Sequence, residues 1–483
     1  MNYRRETGDG RRETGVSVNS VSSGSCTEAA RRLRRHRCVH ETICPLHRYD
    51  AVLRRRTFGL LLMLGACATS VRVVGAQVCP IGRPIAFVNA SVLSMDTPTL
   101  LRAATVVVEG GLIASINPTS VPANACQIDA AGGVLMPGLA DMHVHTDSTE
   151  LPIFLANGVT TVREMNGSPA MVAVRERIRR GELLGPRLLV ASPLMVGAPL
   201  RFRHTLIVTA EDARKAAAAS KAIGYDYLKI YDGLTREAYD AFVESGKSLG
   251  LPLDGHIPAD VGLARVLEAG QSLQHIDKIA FAIGGHRGDT SQLAATRQLL
   301  KGRRVWFTPT LASVLALDAS GTTEYGTLLR RADMAWVDDG TMAWWRSLAG
   351  ERVPRPRSPM FQVELLLLGV LRESGARFLL GTDAGNPTMV PGFSVHEEMA
   401  ALVREGGFTP FEVLKSATRN VGEFLNDSLR GRLVPGANAD LLLVRRNPLD
   451  DLSTLRTPLG VMVRGRWLTR ADLDGMLEKT KRR

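Results

Sequence analysis

From about residue 130 onward, short runs of β-forming residues alternate with amphipathic stretches of helical period. The stretches TAEDARKAAAASKAIG and LTREAYDAFVESGKSLG carry a threonine suited to cap a helix near the start and a glycine at the end. This alternation is typical of βα units around a parallel sheet. Eight strands are predicted, in GVLMPGLADMHVHT, VTTVREM, RLLVASP, YDYLKIYDG, LPLDGHI, SLQHID, VWFTPTL and RFLLGTDAG. Eight parallel strands with intervening helices predict an α/β fold, a (β/α)8 TIM barrel over residues 134–427.

The segments on either side of the predicted barrel have a different character. PIAFVNASVLSM and AATVVVEGGLIASI in residues 77–133, and GRLVPGANADLLLV and LGVMVRGRWL in residues 428–483, are typical of short strands joined by turns. Neither segment could bury a core alone. We therefore expect both to form one small β-sandwich, with the barrel inserted between its two parts. Residues 312–375, before the eighth strand, are longer than one crossover and predict extra helices, which could form a lid.

The first 76 residues predict an export signal that follows a non-globular extension. Residues 1–51 lack apolar periodicity and are expected to be disordered. In residues 52–76 three consecutive arginines precede the apolar run FGLLLMLGACA and a small-residue cleavage site after Ala76, as in a secretory signal peptide. We expect the natural start near Val52 and a periplasmic or secreted protein. An alternative interpretation of LGAC is a lipobox, in which acylated Cys67 anchors the chain to a membrane.

The formal net charge of +12 at pH 7 is concentrated near the amino terminus. Residues 1–76 hold fourteen arginines, no lysine and six acids, so that only +4 remains for the rest of the chain. That remaining charge is spread rather than clustered, which argues against nucleic acid as a partner.

Two of the six cysteines, Cys79 and Cys126, remain after the predicted cleavage. Both lie in the first part of the predicted sandwich. They are expected either to join in a disulfide, as cysteines of exported proteins often do, or to stay as two buried free thiols.

Two histidines close the first predicted strand, in ADMHVHT. Side chains at i and i+2 of a strand share a face, so His143 and His145 could bind one metal, although such a pair alone is as typical of hydrogen-bonded core residues. His256 lies at the end of the fifth strand and His275 at the end of the sixth. Because the carboxyl ends of barrel strands meet on one rim, all four histidines are expected there. Neutral imidazoles bind Zn2+ and similar divalent metals.

A lysine and an aspartate occupy comparable positions on two further strands. Lys229 lies in YDYLKIYDG, where alternation directs it inward with Tyr227 and Tyr231. A buried ammonium needs an acidic partner or a chemical modification, and a lysine carbamate, an anion able to bridge two metals, would be such a modification. Asp383 ends the eighth strand. There a carboxylate can bind a metal and accept a proton from water whose pKa the metal lowers, or can cap the following turn.

The ordered motifs resemble the amidohydrolase superfamily. They are PGLADMHVHT, the lysine of YLKIYDG, the histidines of GHI and SLQHID, the aspartate of GTDAG and the tail GRLVPGANADLLLVRRNPL. The resemblance covers nearly all of residues 77–470 and implies two divalent metal ions, with Zn2+ expected and Mn2+ or Fe2+ as alternatives. The implied ligands are His143, His145 and Asp383 for one metal, His256 and His275 for the other, and carboxylated Lys229 as the bridge.

The resemblance also implies hydrolysis without a covalent enzyme intermediate. A bridging hydroxide attacks a carbonyl carbon, and Asp383 accepts the hydroxide proton and returns it to the leaving group. Tyr231, on the same face as Lys229, either donates a hydrogen bond to the oxyanion or only packs the barrel mouth. The sequence does not decide between these two roles.

GPRLLVAS, LKIYDGLTREAY and GTDAGNPTMV are most similar to the imidazolonepropionase-like and Xaa-Pro dipeptidase-like branch of this superfamily. The expected substrate is therefore a small-molecule amide, namely a dipeptide or an N-acyl amino acid. Alternatives on the same site are an esterase, a lactonase, an organophosphate-type hydrolase or a hydrolase of cyclic amides. A non-catalytic binding relative agrees less well with a full set of six ligands. The sequence leaves a homo-oligomer open, and membrane contact is expected only if Cys67 is acylated.

Several further polar residues have more than one interpretation. Three residues of PLRFRHT could bind a carboxylate, namely Arg201, Arg203 and His204, although a solvated surface loop is the more ordinary interpretation. His396 is expected to cap a helix or lie at the surface, and His286 to lie in a surface loop. Asp141 could orient a metal ligand, and Asp147 could cap the exit from the first strand. GGHRGD lacks the glycine spacing of a nucleotide-binding loop.

Overall fold

The computed structural model describes residues 77–350 and 356–482 as a mixed α/β fold. The predictions for residues 1–76, namely the extension, the signal peptide and the acylation of Cys67, lie outside the described residues. No helix within the described ranges combines the length and the apolar character needed to cross a membrane.

The strands of the described chain are β1 (Ile85–Leu93), β2 (Leu100–Glu109), β3 (Leu112–Ile116), β4 (Cys126–Asp129), β5 (Val134–Pro137), β6 (Leu139–Val144), β7 (Val159–Glu164), β8 (Arg187–Val190), β9 (Leu194–Val196), β10 (His204–Leu206), β11 (Leu228–Ile230), β12 (Leu253–Gly255), β13 (Ser272–Gln274), β14 (Trp306–Thr308), β15 (Arg377–Phe378), β16 (Leu441–Val444), β17 (Gly460–Val463) and β18 (Arg466–Thr469).

The α-helices are α1 (Leu151–Ala156), α2 (Pro169–Arg179), α3 (Ala210–Ile223), α4 (Arg236–Leu249), α5 (Gly262–Glu268), α6 (Ile276–Ala282), α7 (Leu293–Leu300), α8 (Leu311–Asp318), α9 (Thr323–Leu328), α10 (Asp339–Ser347), α11 (Pro359–Glu373), α12 (Ser394–Arg404), α13 (Pro410–Ser416), α14 (Arg419–Phe424) and α15 (Arg470–Thr480). Short 3-10 helices are η1 (Gly285–Arg287), η2 (Ala332–Trp336) and η3 (Leu452–Arg456).

Strands from both flanks of the chain lie in one mixed sheet. Its order is β18-β17-β16-β5-β1-β2-β3, and β4 also pairs with β1. The two flanks join where β5 runs antiparallel to β16. The edge strand β3 also contacts the segment just before β16, because Ile113 of β3 donates its N–H to the carbonyl of Ala437 at 2.8 Å. The sheet encloses an apolar core in which the rings of Phe87 and Trp467 meet edge to face, 5.1 Å apart.

The region between the flanks contains two parallel sheets, β6-β7-β8 and β10-β9-β11-β12-β13-β14-β15. Each of the eight predicted strands contains one of these strands, whereas β9 and β10 were not predicted. Backbone hydrogen bonds also link the two sheets at two places, between β8 and β11 and between β6 and the residues after β15. At the first place Ser192 donates to the carbonyl of Tyr227, and at the second Met142 donates to the carbonyl of Leu380, each at 2.8 Å. The carboxyl ends of the parallel strands therefore share one side of the fold.

The helix caps predicted from the sequence are confirmed. Thr209 and Asp212 form a capping box at the start of α3, and Thr235 accepts a hydrogen bond at the start of α4. The two helices end at Gly224 and Gly250, which have φ angles of 93° and 65°. These left-handed conformations favour glycine and satisfy the last carbonyls of each helix.

The long segment before β15 supplies the extra helices that were predicted, α9, η2 and α10 among them. Trp345 and Met342 of α10 pack with Val390, which follows β15. Trp336 of η2 donates its indole N–H to the carbonyl of Leu477 in α15 at 2.9 Å. The carboxyl-terminal helix is thus tied to this segment.

Cys79 and Cys126 form a disulfide, with Cα atoms 5.7 Å apart. Of the two expectations for these cysteines, the disulfide is the one that the structure contains. It joins the segment before β1 to β4, which pairs with β1 in parallel register.

Candidate metal centre

All six predicted ligand residues lie at or just beyond the carboxyl ends of parallel strands. The residues that are almost completely buried there are His143, Lys229, His256, His275 and Asp383. His145 is more open, with about a third of its side chain exposed (32%). The strand ends therefore bring these side chains to one side of the fold, as the sequence predicts.

Three of the predicted ligands are close enough to hold one metal ion. One ligand atom from each of His143, His275 and Asp383 lies within 4.8 Å of the others. Nε2 of His143 is 3.4 Å from Oδ1 of Asp383, and Nδ1 of His275 is 3.7 Å from Oδ2. Nε2 of His143 and Oδ1 of Asp383 are buried and have no hydrogen-bond partner among the described residues. Such uncompensated polar atoms fit a cation, because burial without a partner is costly.

His145 lies next to this group of three and between two carboxylates. Its Nε2 is 3.2 Å from Oδ1 of Asp383, and its Nδ1 is 3.7 Å from Oε1 of Glu164. Burial alone would lower the pKa of His145, but the proximity and negative charge of these two carboxylates outweigh it and raise the pKa to about 9. The Glu164 carboxylate also accepts the N–H of Thr146 at 2.6 Å, which holds the end of the strand.

His256 and His275 each use one ring nitrogen for a protein contact. Nδ1 of His256 is 3.0 Å from Oδ1 of Asp232, and Nδ1 of His275 is 2.8 Å from Oγ1 of Thr310. Burial lowers the pKa of His256 to about 4, although Asp232 acts in the opposite direction. Burial also places the pKa of His275 well below its usual value. Both imidazoles are therefore neutral, the state in which histidine binds a metal.

Lys229 is 1% exposed, and its ammonium nitrogen has no hydrogen-bond partner among the described residues. Burial lowers its pKa to about 8, with the charges of Asp254 and Asp383 acting in the opposite direction. The sequence left two states open for this lysine, a partner acid or a chemical modification. The described structure gives the nitrogen no bonded acid, which fits the second state better.

Asp383 is ionised despite its burial. Burial alone would raise its pKa, but His275, His143 and His145 outweigh that effect and hold the pKa well below its usual range. Oδ2 accepts a hydrogen bond from the side-chain amide of Asn386.

The backbone at the site adopts unusual conformations. Asp383 has a φ of 59°, His275 of 62° and Thr310 of 50°, in the left-handed region that non-glycine residues seldom occupy. Such strain clusters at functional sites because the surrounding structure enforces a required geometry.

The ring of Tyr231 lies 4.0 Å from that of His256, centroid to centroid. Burial raises the pKa of this tyrosine to about 12, so its hydroxyl keeps its proton near neutral pH. The position allows donation to a bound substrate, and it also allows simple packing, so both predicted roles remain open.

Sequence reasoning missed several polar residues that support the site. They are Arg163, Glu164, Asp232, Asp254, Gln274, Lys278 and Thr310. The signal for some of them was present, because Arg163 and Asp254 are charged residues inside otherwise apolar strands. The argument that singled out Lys229 applies equally to them.

The prediction that His396 lies at the surface is wrong. It is 5% exposed, it makes no capping hydrogen bond, and neither ring nitrogen has a partner among the described residues. The first turn of α12 is buried against the rest of the fold, and the sequence pattern of that turn did not reveal this. Arg201 is exposed, Arg203 donates to the carbonyl of Asn166 at 3.0 Å, and His204 begins β10 with its Nδ1 2.7 Å from the carbonyl of Phe202. His286 is exposed on η1, as predicted.

The strand ends and the buried histidine and aspartate side chains define an α/β protein with a candidate metal centre, and comparison with known proteins gives its family. The family model described as "Amidohydrolase family" matches residues 134–468. The chain therefore belongs to the amidohydrolase family, as its motifs predict.

Two solved structures and one curated protein illustrate the relationship. A Bifidobacterium longum protein assigned as a prolidase is 27% identical, with a TM-score of 0.62 over 83% of this chain and 100% of its own. Bottromycin amidohydrolase is 26% identical, with a TM-score of 0.66 over 82% of this chain and 90% of its own. Adenine deaminase 2 of Rhizobium etli is 25% identical over 74% of this chain. The chain spans about half of that curated relative (53%).

Proposed function

We propose that this protein is a metal-dependent hydrolase that cleaves an amide C–N bond in a dipeptide or an N-acyl amino acid. The observation that carries the proposal is the convergence of four histidines, Lys229 and Asp383 at one set of strand ends. Within that group, His143, Asp383 and Lys229 present buried polar atoms that lack hydrogen-bond partners among the described residues.

The proposed cofactors are two divalent metal ions, with Zn2+ as the proposed identity. The donor set is suitable, since imidazoles and a carboxylate are ligands that Zn2+ accepts; His143, His256 and His275 are neutral without metal, whereas His145 would release a proton when the metal binds. When bound, such ions lower the pKa of water and polarise the substrate carbonyl. The proposed ligands are His143, His145 and Asp383 for one ion, His256 and His275 for the other, and Lys229, carboxylated by carbon dioxide, shared between them.

Two side chains carry the proposed proton and oxyanion roles. Asp383 is ionised and buried, so it is able to accept a proton from the attacking water and to pass it to the leaving nitrogen. Tyr231 keeps its proton and would donate a hydrogen bond to the developing oxyanion. The strained backbone of Asp383 fixes its carboxylate before substrate binds, which reduces the reorganisation needed in the transition state.

The names of the relatives support an amide substrate. The structures assigned as a prolidase and as bottromycin amidohydrolase are matched over most of their length. The curated relative named adenine deaminase also acts, by its name, on a C–N bond. If the protein is exported, as we also propose, its compartment favours a peptide or an N-acyl amino acid over an intracellular ring compound.

We further propose the architecture and the compartment that the sequence predicts. Hydrogen bonds between the two parallel sheets support closure into a (β/α)8 barrel, and the contact of β3 with the segment before β16 supports a β-sandwich. The disulfide between Cys79 and Cys126 supports export, because disulfides persist in oxidising compartments.

The proposal is tested by metal analysis together with a substrate screen. Protein purified without chelator should hold about two divalent ions per chain. It should hydrolyse members of a library of dipeptides and N-acyl amino acids, and lose that activity with chelator and regain it with Zn2+. Freshly purified active protein without metal would contradict the metal centre. Turnover restricted to control esters, lactones or adenine would contradict the amide assignment.

Variants separate the roles of the two central residues. Asp383→Asn should lower kcat by about 100-fold or more, because a general acid–base group contributes at least that much. Asp450→Asn is the matched control: Asp450 lies at an exposed turn near the carboxyl end of the sequence, and the variant should retain activity.

The proposed carbamate on Lys229 has its own test. It should give a carbamate carbon signal by NMR after incubation with labelled bicarbonate, and Lys229→Met should lack that signal.

A further inference from the structure

Four buried side chains from four different strands form a continuous chain of hydrogen bonds beneath the candidate metal centre. Arg163 of β7 is ion-paired with Asp254 of β12. Oδ1 of Asp254 accepts a hydrogen bond from the amide nitrogen of Gln274 in β13 at 2.6 Å. Oε1 of Gln274 lies 2.7 Å from Nδ1 of His143 in β6. All four side chains are at most 1% exposed, so water does not compete for these bonds.

The chemistry of each group determines which partner donates and which accepts in these hydrogen bonds. A guanidinium only donates hydrogen bonds, and an ionised carboxylate only accepts them. Asp254 therefore faces the NH2 group of Gln274, which turns the amide oxygen toward His143. Because that oxygen only accepts, Nδ1 of His143 must carry the proton. Nε2 is then left with a free lone pair, 3.4 Å from Oδ1 of Asp383.

Contacts with two aromatic rings and a backbone carbonyl fix the orientation of the Arg163 guanidinium. Its guanidinium carbon lies 5.3 Å from the ring centroid of Tyr227 and 5.1 Å from that of Phe424. Its Nε donates to the carbonyl of Met142 at 2.8 Å, next to His143 on β6. The arginine thus contacts the strand of His143 directly and also reaches its ring through Asp254 and Gln274.

A buried ion pair contributes little to stability after its desolvation is counted, so its presence in a core is better explained by specificity. Here the hydrogen bonds imply a specific outcome, namely a single protonation pattern on the His143 ring. Groups that hydrogen-bond the second nitrogen of a metal-binding histidine orient the ring and raise metal affinity.

We propose that Arg163, Asp254 and Gln274 are positioning residues that hold His143 as the Nδ1–H tautomer, so that Nε2 is presented to the metal. This inference rests on the proposed function. It adds three residues to the site, none of which touches substrate or metal.

The decisive variant is Asp254→Asn, which keeps the shape of the side chain and reverses the donor and acceptor order of the hydrogen bonds between it, Gln274 and His143. Its amide oxygen must face Arg163, so its NH2 group faces Gln274, whose amide then turns over and offers NH2 to His143. The ring is forced into the opposite tautomer, with the proton on Nε2. We expect the nitrogen NMR signals of His143, read in histidine-labelled metal-free protein and assigned with His143→Asn, to exchange their protonated and unprotonated shifts. Zn2+ affinity should fall by about 10-fold to 100-fold.

Gln274→Met and Gln271→Met form the matched pair. Gln271 is an equally buried glutamine that donates to the backbone carbonyl of His256 at 2.7 Å and does not contact a histidine ring. Gln274→Met should mix the His143 tautomers and weaken Zn2+ binding, whereas Gln271→Met should leave the tautomer unchanged. If Asp254→Asn does not fold, this pair decides, and a His143 ring that stays wholly in the Nδ1–H tautomer in Gln274→Met would overturn the proposal.

The proposal would also be overturned if His143 showed an Nδ1–H signal in folded Asp254→Asn. Both readouts are taken without substrate. A protein that binds Zn2+ through the predicted tautomer and hydrolyses no amide would contradict the proposed function while leaving this inference intact.

Discussion

Asp141 accepts two hydrogen bonds from Thr382, one at each carboxylate oxygen. The N–H of Thr382 is 2.9 Å from Oδ1, and its hydroxyl oxygen is 2.6 Å from Oδ2. Asp141 lies two residues before His143 on β6, and Thr382 directly precedes Asp383. The contact therefore joins the first of the parallel strands to the segment after the last, at the point where each contributes a proposed metal ligand. It fits the role of orienting a ligand that the sequence suggested for Asp141.

Removing one of these two bonds should weaken both the fold and the site. Thr382→Val keeps the backbone bond and the side-chain shape, but it leaves without a partner one buried oxygen of Asp141 and the N–H of Ala384, which donates to the Thr382 hydroxyl at 3.1 Å. We expect the free energy of unfolding to fall by about 1–3 kcal/mol in urea denaturation. Thr388→Val is the control, because the buried hydroxyl of Thr388 has no hydrogen-bond partner among the described residues. Equal losses in the two variants would show that the Asp141 contact contributes nothing specific.

Replacing Lys229 should have opposite effects on the metal-free and metal-loaded protein. Lys229→Met removes a buried ammonium that lacks a bonded acid and keeps a side chain of similar length. The metal-free variant should therefore be as stable as the original protein or more stable. Metal content should fall, because the proposed shared ligand is gone. Thermal unfolding with and without Zn2+ measures both effects, and a large loss of stability in the metal-free variant would indicate that Lys229 has a structural partner.

Tyr231→Phe separates the two roles left open for this tyrosine. If the hydroxyl donates to the oxyanion, kcat should fall by about 100-fold with unchanged metal content, as for other single donors to an oxyanion. If the ring only packs the site, kcat should change little. Steady-state kinetics on the best amide from the screen, with metal analysis of the same preparation, decides between them.

The sequence predicted those parts of the site that depend on one strand at a time. His143, His256, His275, Lys229 and Asp383 each stand near the end of a recognisable apolar run, and parallel strands end on one side. Their partners depend on contacts between distant segments. Arg163 and Asp254 are 91 residues apart in the chain, and no local pattern pairs them.

Burial of a helix face by tertiary packing is equally invisible to local patterns. His396 follows a loop, and the first turn of a helix is commonly exposed, which made a surface position the reasonable expectation. β9 and β10 were missed for a related reason, since each has three residues and is recognisable only by its parallel partner.

The disulfide should make a measurable contribution to the sheet of the flanks. It closes a loop with a sequence separation of 47 residues, so its loss should lower the free energy of unfolding by about 2–4 kcal/mol. The double variant Cys79→Ser/Cys126→Ala, compared by chemical denaturation with the oxidised protein, measures this. Reductant should destabilise the original protein to the level of the variant and leave the variant unchanged. A reductant effect on the variant would point to a different origin.

His396 should make stability depend on pH in the acid range. Burial, reinforced by the charge of Arg456, lowers its pKa from 6.5 to about 3. Between these values the unfolded chain binds a proton that the folded protein excludes. The free energy of unfolding therefore falls as the pH falls, by about 1.4 kcal/mol per pH unit from this group alone.

His396→Phe removes the titrating group and keeps a planar ring, so its stability should fall less steeply between pH 6.5 and pH 3. His286→Phe, which removes an exposed imidazole, should follow the original protein. The measured quantity is the difference in unfolding free energy between variant and original at each pH, in which the contributions of the other histidines cancel. Because only a group protonated unequally in the two states can give this difference a slope, parallel curves for His396→Phe would mean that His396 becomes protonated in the folded protein.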